Sequence, residues 1–276
     1  MSRQMFLHEA QAEDPNTRRA THGSLMVLTW NIQNPSLKRA TEQADWIVGK
    51  GADIVLLTEA KHSEGCKYIQ DWLESYGYKT VMPPTEHDDY CVIVAVKGLP
   101  MQVREPRIRL FPQRAVTVGI QTILRTMTVM GVYVPSRGPI ERRNIDKRRF
   151  QSELTAVIKG LERTEEAETL IIGGDLNVIE RKHNPHYAVF GEWEYTFYDA
   201  FGECGLVDAY RLKYPTKNEY SWYGKVGDGY RFDHMFVSKN VASCVSDCSY
   251  IHDVRTAKLS DHSAMCLEIV AKQGTT

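Results

Sequence analysis

The sequence has no CxxC pair, no long apolar run, no internal repeat and no tract rich in glycine and proline. Each absence removes a class of protein. Without paired CxxC motifs a zinc ribbon is not expected. No apolar stretch approaches the roughly 18 residues that a membrane span requires. With 19 glycines and 11 prolines scattered over 276 residues, a collagen-like or low-complexity chain is excluded. The net charge is only −1, so a globally basic nucleic-acid coat is excluded while a local patch is not. Residues Met1–Gly23 are polar, carry Glu13, Asp14, Arg18 and Arg19, and lack the apolar stretch of a secretory signal. They read as a flexible tail. The six cysteines are then expected to be reduced thiols in a cytoplasmic protein. Cys244 and Cys248 are spaced like a loose ligand pair, but no second pair completes a site.

What remains is an ordinary globular composition, with 42% hydrophobic and 25% charged residues. The chain can bury a core without staples. Residues 24–272 are expected to form a single domain. Short runs rich in Val, Ile, Tyr and Thr predict strands near Leu25–Trp30, Asp53–Thr58, Tyr90–Val96, Ala115–Ile120, Met127–Val134, Leu170–Ile172, Tyr220–Tyr223, Phe232–Val237 and Ala264–Val270. Helical spacing predicts helices from Ser36 to about Lys50, over Cys66–Ser75, from about Ile140 to Gly160 and over Tyr195–Cys204. Alternating strands and helices, interrupted by hairpin-like pairs, predict mixed sheets with helices outside, an α/β class.

Polar residues recur where these strands end or begin: Asn31, Glu59, Tyr133, Asp175 with Asn177, Asp233, and Asp261 with His262. Any one reads as a turn former. Six such sites in one fold point to a shared cluster. Four convergent carboxylates repel unless a cation or a histidine compensates them. Oxygen ligands of this kind suit Mg²⁺, or Mn²⁺ as a substitute. His262 offers a cation for a phosphate oxygen, with a carboxylate holding its tautomer. The inventory suits hydrolysis at phosphorus.

The motifs, taken in order, carry a resemblance. Leu28-Thr29-Trp30-Asn31-Ile32, Glu59-Ala60-Lys61, Tyr133-Val134-Pro135, Gly174-Asp175-Leu176-Asn177-Val178, Tyr230-Arg231-Phe232-Asp233 and Ser260-Asp261-His262 resemble the endonuclease/exonuclease/phosphatase superfamily. Within it, Tyr-x-Pro and Glu-x-Lys are similar to the exonuclease III and apurinic/apyrimidinic (AP) endonuclease branch. The resemblance implies a four-layered α/β/β/α sandwich with the site at one edge of the two sheets. It implies Glu59 as principal metal ligand, supported by Asn31, with Asp261 near a second metal position. It implies Asp175 as the carboxylate that orients or deprotonates water, Asn177 and His262 on phosphate oxygens, Asp233 orienting His262, and Tyr133 at the phosphate or leaving oxygen. Trp222, Tyr230 and Phe232 match positions that form an apolar pocket for a flipped-out abasic sugar.

Residues 137–149 hold Arg137, Arg142, Arg143, Lys147, Arg148 and Arg149 against Glu141 and Asp146. This basic run follows Tyr133 and is expected to meet the phosphates of DNA, most simply a duplex bound by a monomer. His183 and His186 read as surface histidines. Gln33-Asn34-Pro35-Ser36 and Ser136 depart from the branch's pattern, and the stretch between Trp222 and Arg231 is short. These departures leave an alternative, a phosphatase or phosphodiesterase of the same fold acting on a small phosphorylated metabolite.

Overall fold

The computed structural model describes residues 23–85, 87–122, 125–138, 141–161 and 164–270, and of residues 141–143 the backbone alone. Of the tail expected at 1–23, all but Gly23 lies outside the described residues.

Strand β1 (Ser24–Asn31) leads through helix α1 (Leu37–Lys50) into β2 (Ile54–Ala60), which lies parallel to β1. Helix α1 ends where the sequence predicts. Gly51 adopts a left-handed conformation (φ 63°) and donates its N–H to the Val48 carbonyl. Helix α2 (Glu64–Ser75), β3 (Tyr78–Val81) and β4 (Cys91–Lys97) follow. The second half repeats the plan. After β5 (Met101–Val103) and β6 (Ala115–Gln121), β7 (Thr126–Tyr133) crosses through α3 (Glu141–Leu161) to the parallel β8 (Leu170–Asp175). Helix α4 (Glu192–Glu203), β9 (Leu206–Asp208), a small hairpin of β10 (Trp222–Tyr223) and β11 (Gly229–Tyr230), then β12 (Asp233–Ser238), β13 (Val245–Ile251) and β14 (Ala264–Val270) complete it.

Among the described residues the strands form two six-stranded mixed sheets, ordered β13-β14-β1-β2-β4-β3 and β5-β6-β7-β8-β12-β9. Alternation along each strand assigns the layers. Val27, Leu56 and Val94 of one sheet meet Val118, Val129, Ile171 and Met235 of the other in a central core. Leu28, Trp30, Leu57 and Ile93 point the opposite way and pack on Ala40, Ala44, Ile47, Ile69 and Leu73 of α1 and α2. On the far side, Met130, Val132, Ile172 and Phe236 pack on Phe150, Leu154, Phe197 and Phe201 of α3 and α4. The result is the α/β/β/α sandwich. Gly131 and Gly173 let the sheets approach, since a Cβ there would sit 2.8 Å from Val92 Cγ1 and 2.9 Å from Leu56 Cδ1 respectively. No helix among the described residues is long and apolar enough to cross a membrane.

Candidate active site

Both parallel strand pairs, β1–β2 and β7–β8, end at the same edge, and the site residues sit there. Register does most of the assembly. Tyr133 pairs with Asp175 across β7–β8, and Asp175 with Asp233 across β8–β12, so three site residues stand abreast on adjacent strands. Glu59 arrives from the other sheet. The β2–β4 register shifts between Leu57 and Ala60, and Glu59 takes a left-handed backbone (φ 54°) that turns its side chain out of the strand's alternation. Asn177, just past β8, is likewise left-handed (φ 50°).

Hydrogen bonds join these groups into one web. The Asn31 amide donates to Asp175 Oδ2 at 2.9 Å, and Asn177 N–H donates to Asp175 Oδ1 at 2.9 Å. The Asn177 side-chain amide donates to the Val134 carbonyl at 2.9 Å and to Asp175 Oδ2 at 3.2 Å. Tyr133 OH donates to Glu59 Oε1 at 2.8 Å. His262 Nδ1 donates to Asp233 Oδ2 at 2.7 Å, which leaves Nε2 4.0 Å from Asp175 Oδ2. The backbone behind this pair is pinned: His262 N–H donates to Ser260 Oγ, and Ser260 Oγ–H donates to the Asn31 carbonyl.

Burial and charge set the protonation states. Burial, then the neighbouring Asp233 carboxylate, pushes the Asp175 carboxyl up to about 8, against the opposing pull of His262. Burial disfavours the His262 cation, but the Asp233 carboxylate outweighs it, and the imidazole is raised to about 10. His262 is therefore an imidazolium at neutral pH. Burial and then the Glu59 and Asp175 carboxylates hold the Tyr133 phenol well above its ordinary range, so it stays a donor.

The donor set fits a hard divalent cation. Glu59, Asp175 and Asp233 bring three carboxylates together, with His262 and the Arg114 guanidinium over the Tyr133 ring as the nearby cations, and clustered hard oxygen donors of this kind are what a divalent cation takes. Asp233 Oδ1 is buried without a hydrogen-bond partner. Asp175, Asp233 and His262 could each offer one ligand atom within 4.8 Å of the others. Asp233 and His262 already bond each other, however, so that trio is first a hydrogen-bonded relay. Glu59 and Asn31 are the better-placed oxygen donors, since Glu59 Oε1 and Asn31 Oδ1 each accept a single bond, from Tyr133 and from Gln33 N–H. Asp261 is exposed and accepts from the Trp222 indole N–H at 2.9 Å.

A cleft of about 680 Å³ opens over the web, lined by Glu59, Asn177, Asp261 and His262 on one side and by aromatic rings on the other. Trp222, Tyr230 and Phe232 pack together with ring centroids 5.0–5.7 Å apart. Phe190, from the loop before α4, joins them 6.1 Å from both Tyr230 and Phe232. Sequence reasoning passed over Phe190 because no strand pattern surrounds it. The same loop corrects His183, which is buried, not a surface histidine, and accepts the Arg231 N–H at its Nε2.

The basic run divides. Arg137 lines the cleft and pairs with Glu194 at 2.5 Å. Arg148 lies over the Trp193 ring at 4.6 Å, and Arg149 pairs with Glu153. Lys147 is fully buried. The side chains of Arg142 and Arg143 lie outside the described residues.

Comparisons with known proteins agree with this geometry. An exodeoxyribonuclease from Bacillus subtilis (strain 168) is 26% identical over 262 residues, covering 86% of this chain and 96% of its own. Among solved structures, an AP endonuclease from Archaeoglobus fulgidus superposes with a TM-score of 0.75 at 22% identity, covering 88% of this chain and 98% of its own. A 3′ phosphatase from Neisseria, solved with a product DNA hairpin, superposes with a TM-score of 0.70 at 21% identity, over 90% of this chain and 100% of its own. The sequence model described as the endonuclease/exonuclease/phosphatase family matches residues 28–262. Its span covers the site residues from Asn31 to His262, and the chain therefore belongs to that family and is a metal-dependent phosphoester hydrolase.

Proposed function

We propose that this protein is a Mg²⁺-dependent phosphodiesterase that acts as a monomer on duplex DNA, cutting 5′ of an abasic site or trimming 3′ ends to leave a 3′-hydroxyl. The observation that carries the reading is the joining of two features in one cleft: the Asp175–Asn31–Asn177–His262–Asp233 web and the ring cluster of Trp222, Tyr230, Phe232 and Phe190. The first suits attack on phosphorus. The second is an apolar slot of the kind a flipped nucleotide lacking its base requires.

Glu59 and Asn31 would hold the metal, with Asp261 beside them, and the ion would supply Lewis-acid polarisation of a phosphoryl oxygen. The protein's own groups do the rest. Asp175, titrating near neutrality, orients the attacking water and takes its proton. His262, an imidazolium, donates from Nε2 to a non-bridging oxygen, its charge and ring orientation held by Asp233 on Nδ1. Asn177 exchanges its longer bond to Asp175 for a phosphate oxygen. Tyr133, held protonated, exchanges its bond to Glu59 for one donated to the leaving oxygen. Arg137 stands at the cleft for a flanking phosphate.

The test is one assay with three substrates, an abasic-site duplex, the matching intact duplex and an aryl phosphate, each with Mg²⁺ and with EDTA. Mg²⁺-dependent nicking at the abasic site, well above the other two, is the expected result. Turnover of the aryl phosphate with both duplexes untouched would overturn the DNA reading.

A further inference from the structure

Among the described side chains of the basic run, Lys147 is the one buried too deeply to meet a substrate. It lies in the first half of α3 with its side chain fully buried. Its ammonium donates to two groups, Glu194 Oε1 at 2.6 Å and the Asn177 carbonyl at 2.7 Å. Glu194 is equally buried, at the start of α4. Its second oxygen accepts from Arg137 Nη1 at 2.5 Å and from Gly191 N–H at 2.9 Å.

These contacts converge on the site. Asn177 holds a left-handed backbone that is uncommon for a non-glycine residue. That conformation aims both its N–H and its side-chain amide at Asp175. The Lys147 bond fixes the carbonyl of the same residue. Arg137 lines the cleft mouth, and Gly191 directly follows Phe190 of the ring cluster. An isolated buried ion pair is a weak source of stability compared with apolar packing. One that touches the site loop, the arginine at the mouth and the aromatic loop at once has geometry to maintain.

We propose that Lys147 is a positioning residue. It clamps the Asn177 carbonyl so that the Asn177 amide faces the reacting phosphate, and through Glu194 it fixes Arg137 at the cleft. The proposal rests on the phosphoester-hydrolase reading of the site but not on DNA as the substrate.

The experiment measures kcat and KM separately for Lys147→Met, Arg137→Ala, Asn177→Ala and the double variant Lys147→Met/Asn177→Ala. Both the abasic duplex and an aryl phosphodiester are used, below the onset of thermal unfolding. Misplacing a reacting group by about 1 Å costs on the order of 100-fold, so Lys147→Met is expected to lower kcat by about that factor on both substrates and, by releasing Arg137, to raise KM on the duplex. Arg137→Ala is expected to raise KM on DNA with little change in kcat. Adding Lys147→Met to Asn177→Ala is expected to cost nothing more in kcat, because on the chemical step the lysine acts through the asparagine. In nitrogen–proton correlation spectra, Lys147→Met should shift the Asn177 side-chain amide signals even without substrate. A folded Lys147→Met protein with wild-type kcat and unmoved Asn177 signals would overturn the proposal, as would kcat losses that multiply in the double variant. Should Lys147→Met unfold, Lys147→Met/Glu194→Gln removes both charges and is read in the same way. Failure of both to fold would assign the pair to stability alone and also overturn it. If the wild type cleaves only the aryl phosphodiester, the DNA reading fails while the Lys147 comparison still stands on that substrate.

Discussion

Asp233→Asn isolates a charge while keeping a shape. The Asp233 backbone N–H donates to Ser221 Oγ and its carbonyl accepts from Tyr250 OH, and an asparagine preserves both. An asparagine oxygen can still accept from His262 Nδ1. Only the carboxylate's charge goes, and that charge is what lifts His262 to about 10 against its burial. Without it, burial is opposed only by the weaker pull of the Asp175 and Asp261 carboxylates, and the imidazole should titrate well below its wild-type value. The interval from about 6.5 to about 10 is worth about 5 kcal/mol at roughly 1.4 kcal/mol per pH unit. Coulomb's law gives about 4 kcal/mol for unit charges 4 Å apart at an effective dielectric near 20, the same order. The sign follows from linkage. A group whose pKa is raised on folding stabilises fully below its unfolded pKa and loses that contribution as pH rises through the folded value. Wild type should therefore be more stable than Asp233→Asn by a few kcal/mol at pH 6, and the gap should close between about pH 6.5 and 10. Urea unfolding in EDTA across that range measures it. Turnover of Asp233→Asn at neutral pH should fall by roughly 100-fold or more, as for loss of one charged donor, and recover partly in mild acid. A gap that is absent or constant with pH, or near-wild-type turnover at neutral pH, would refute the reasoning.

Glu59→Gln should abolish the heat of Mg²⁺ binding in calorimetry and with it Mg²⁺-dependent turnover, because the proposed principal oxygen ligand loses its charge. Gly174→Ala should destabilise by about 3 kcal/mol or more, read as a lower urea midpoint. A Cβ at Gly174 (φ 149°) would sit 1.9 Å from the Val132 carbonyl oxygen, which the β7 backbone cannot move. Arg231→Met should cost about 3–5 kcal/mol in urea unfolding, because it strands Asp208, whose carboxylate the fully buried Arg231 guanidinium contacts at 2.8 Å.

Much of this was legible in the sequence, and the reason is geometric. Strand ends carry their polar residues to one edge, so Asn31, Glu59, Tyr133, Asp175, Asp233 and His262 could be grouped before any distance was known. The core strands and the four long helices were legible because periodicity and Gly51-type stops are local. Edge strands were not. Within β13, Ser246, Asp247 and Ser249 break the apolar signal, since its solvent side is polar and its pairing with β14 is set from outside. The Glu59 turn was also invisible, because a register shift belongs to two strands and not to one. Lys147 misled for a related reason: charge suggests exposure, and only Glu194, 47 residues away, shows why it is buried. Arg231, flanked by aromatics in sequence, lies beneath them in space on Asp208 and Glu180.

The two sheets contribute equal halves of the site, Asn31, Glu59 and His262 from one and Tyr133, Asp175 and Asp233 from the other. The separation between halves is thus a property of the core, set by how closely Gly131 and Gly173 let Val92 and Leu56 approach. The central layer acts as a calliper whose jaws are the reacting groups. A methyl added at Gly173, which would meet Leu56, Met235 and Thr29 in the core, is expected to widen the jaws and lower turnover. Selection for catalysis in such a protein reaches into residues that chemistry never touches.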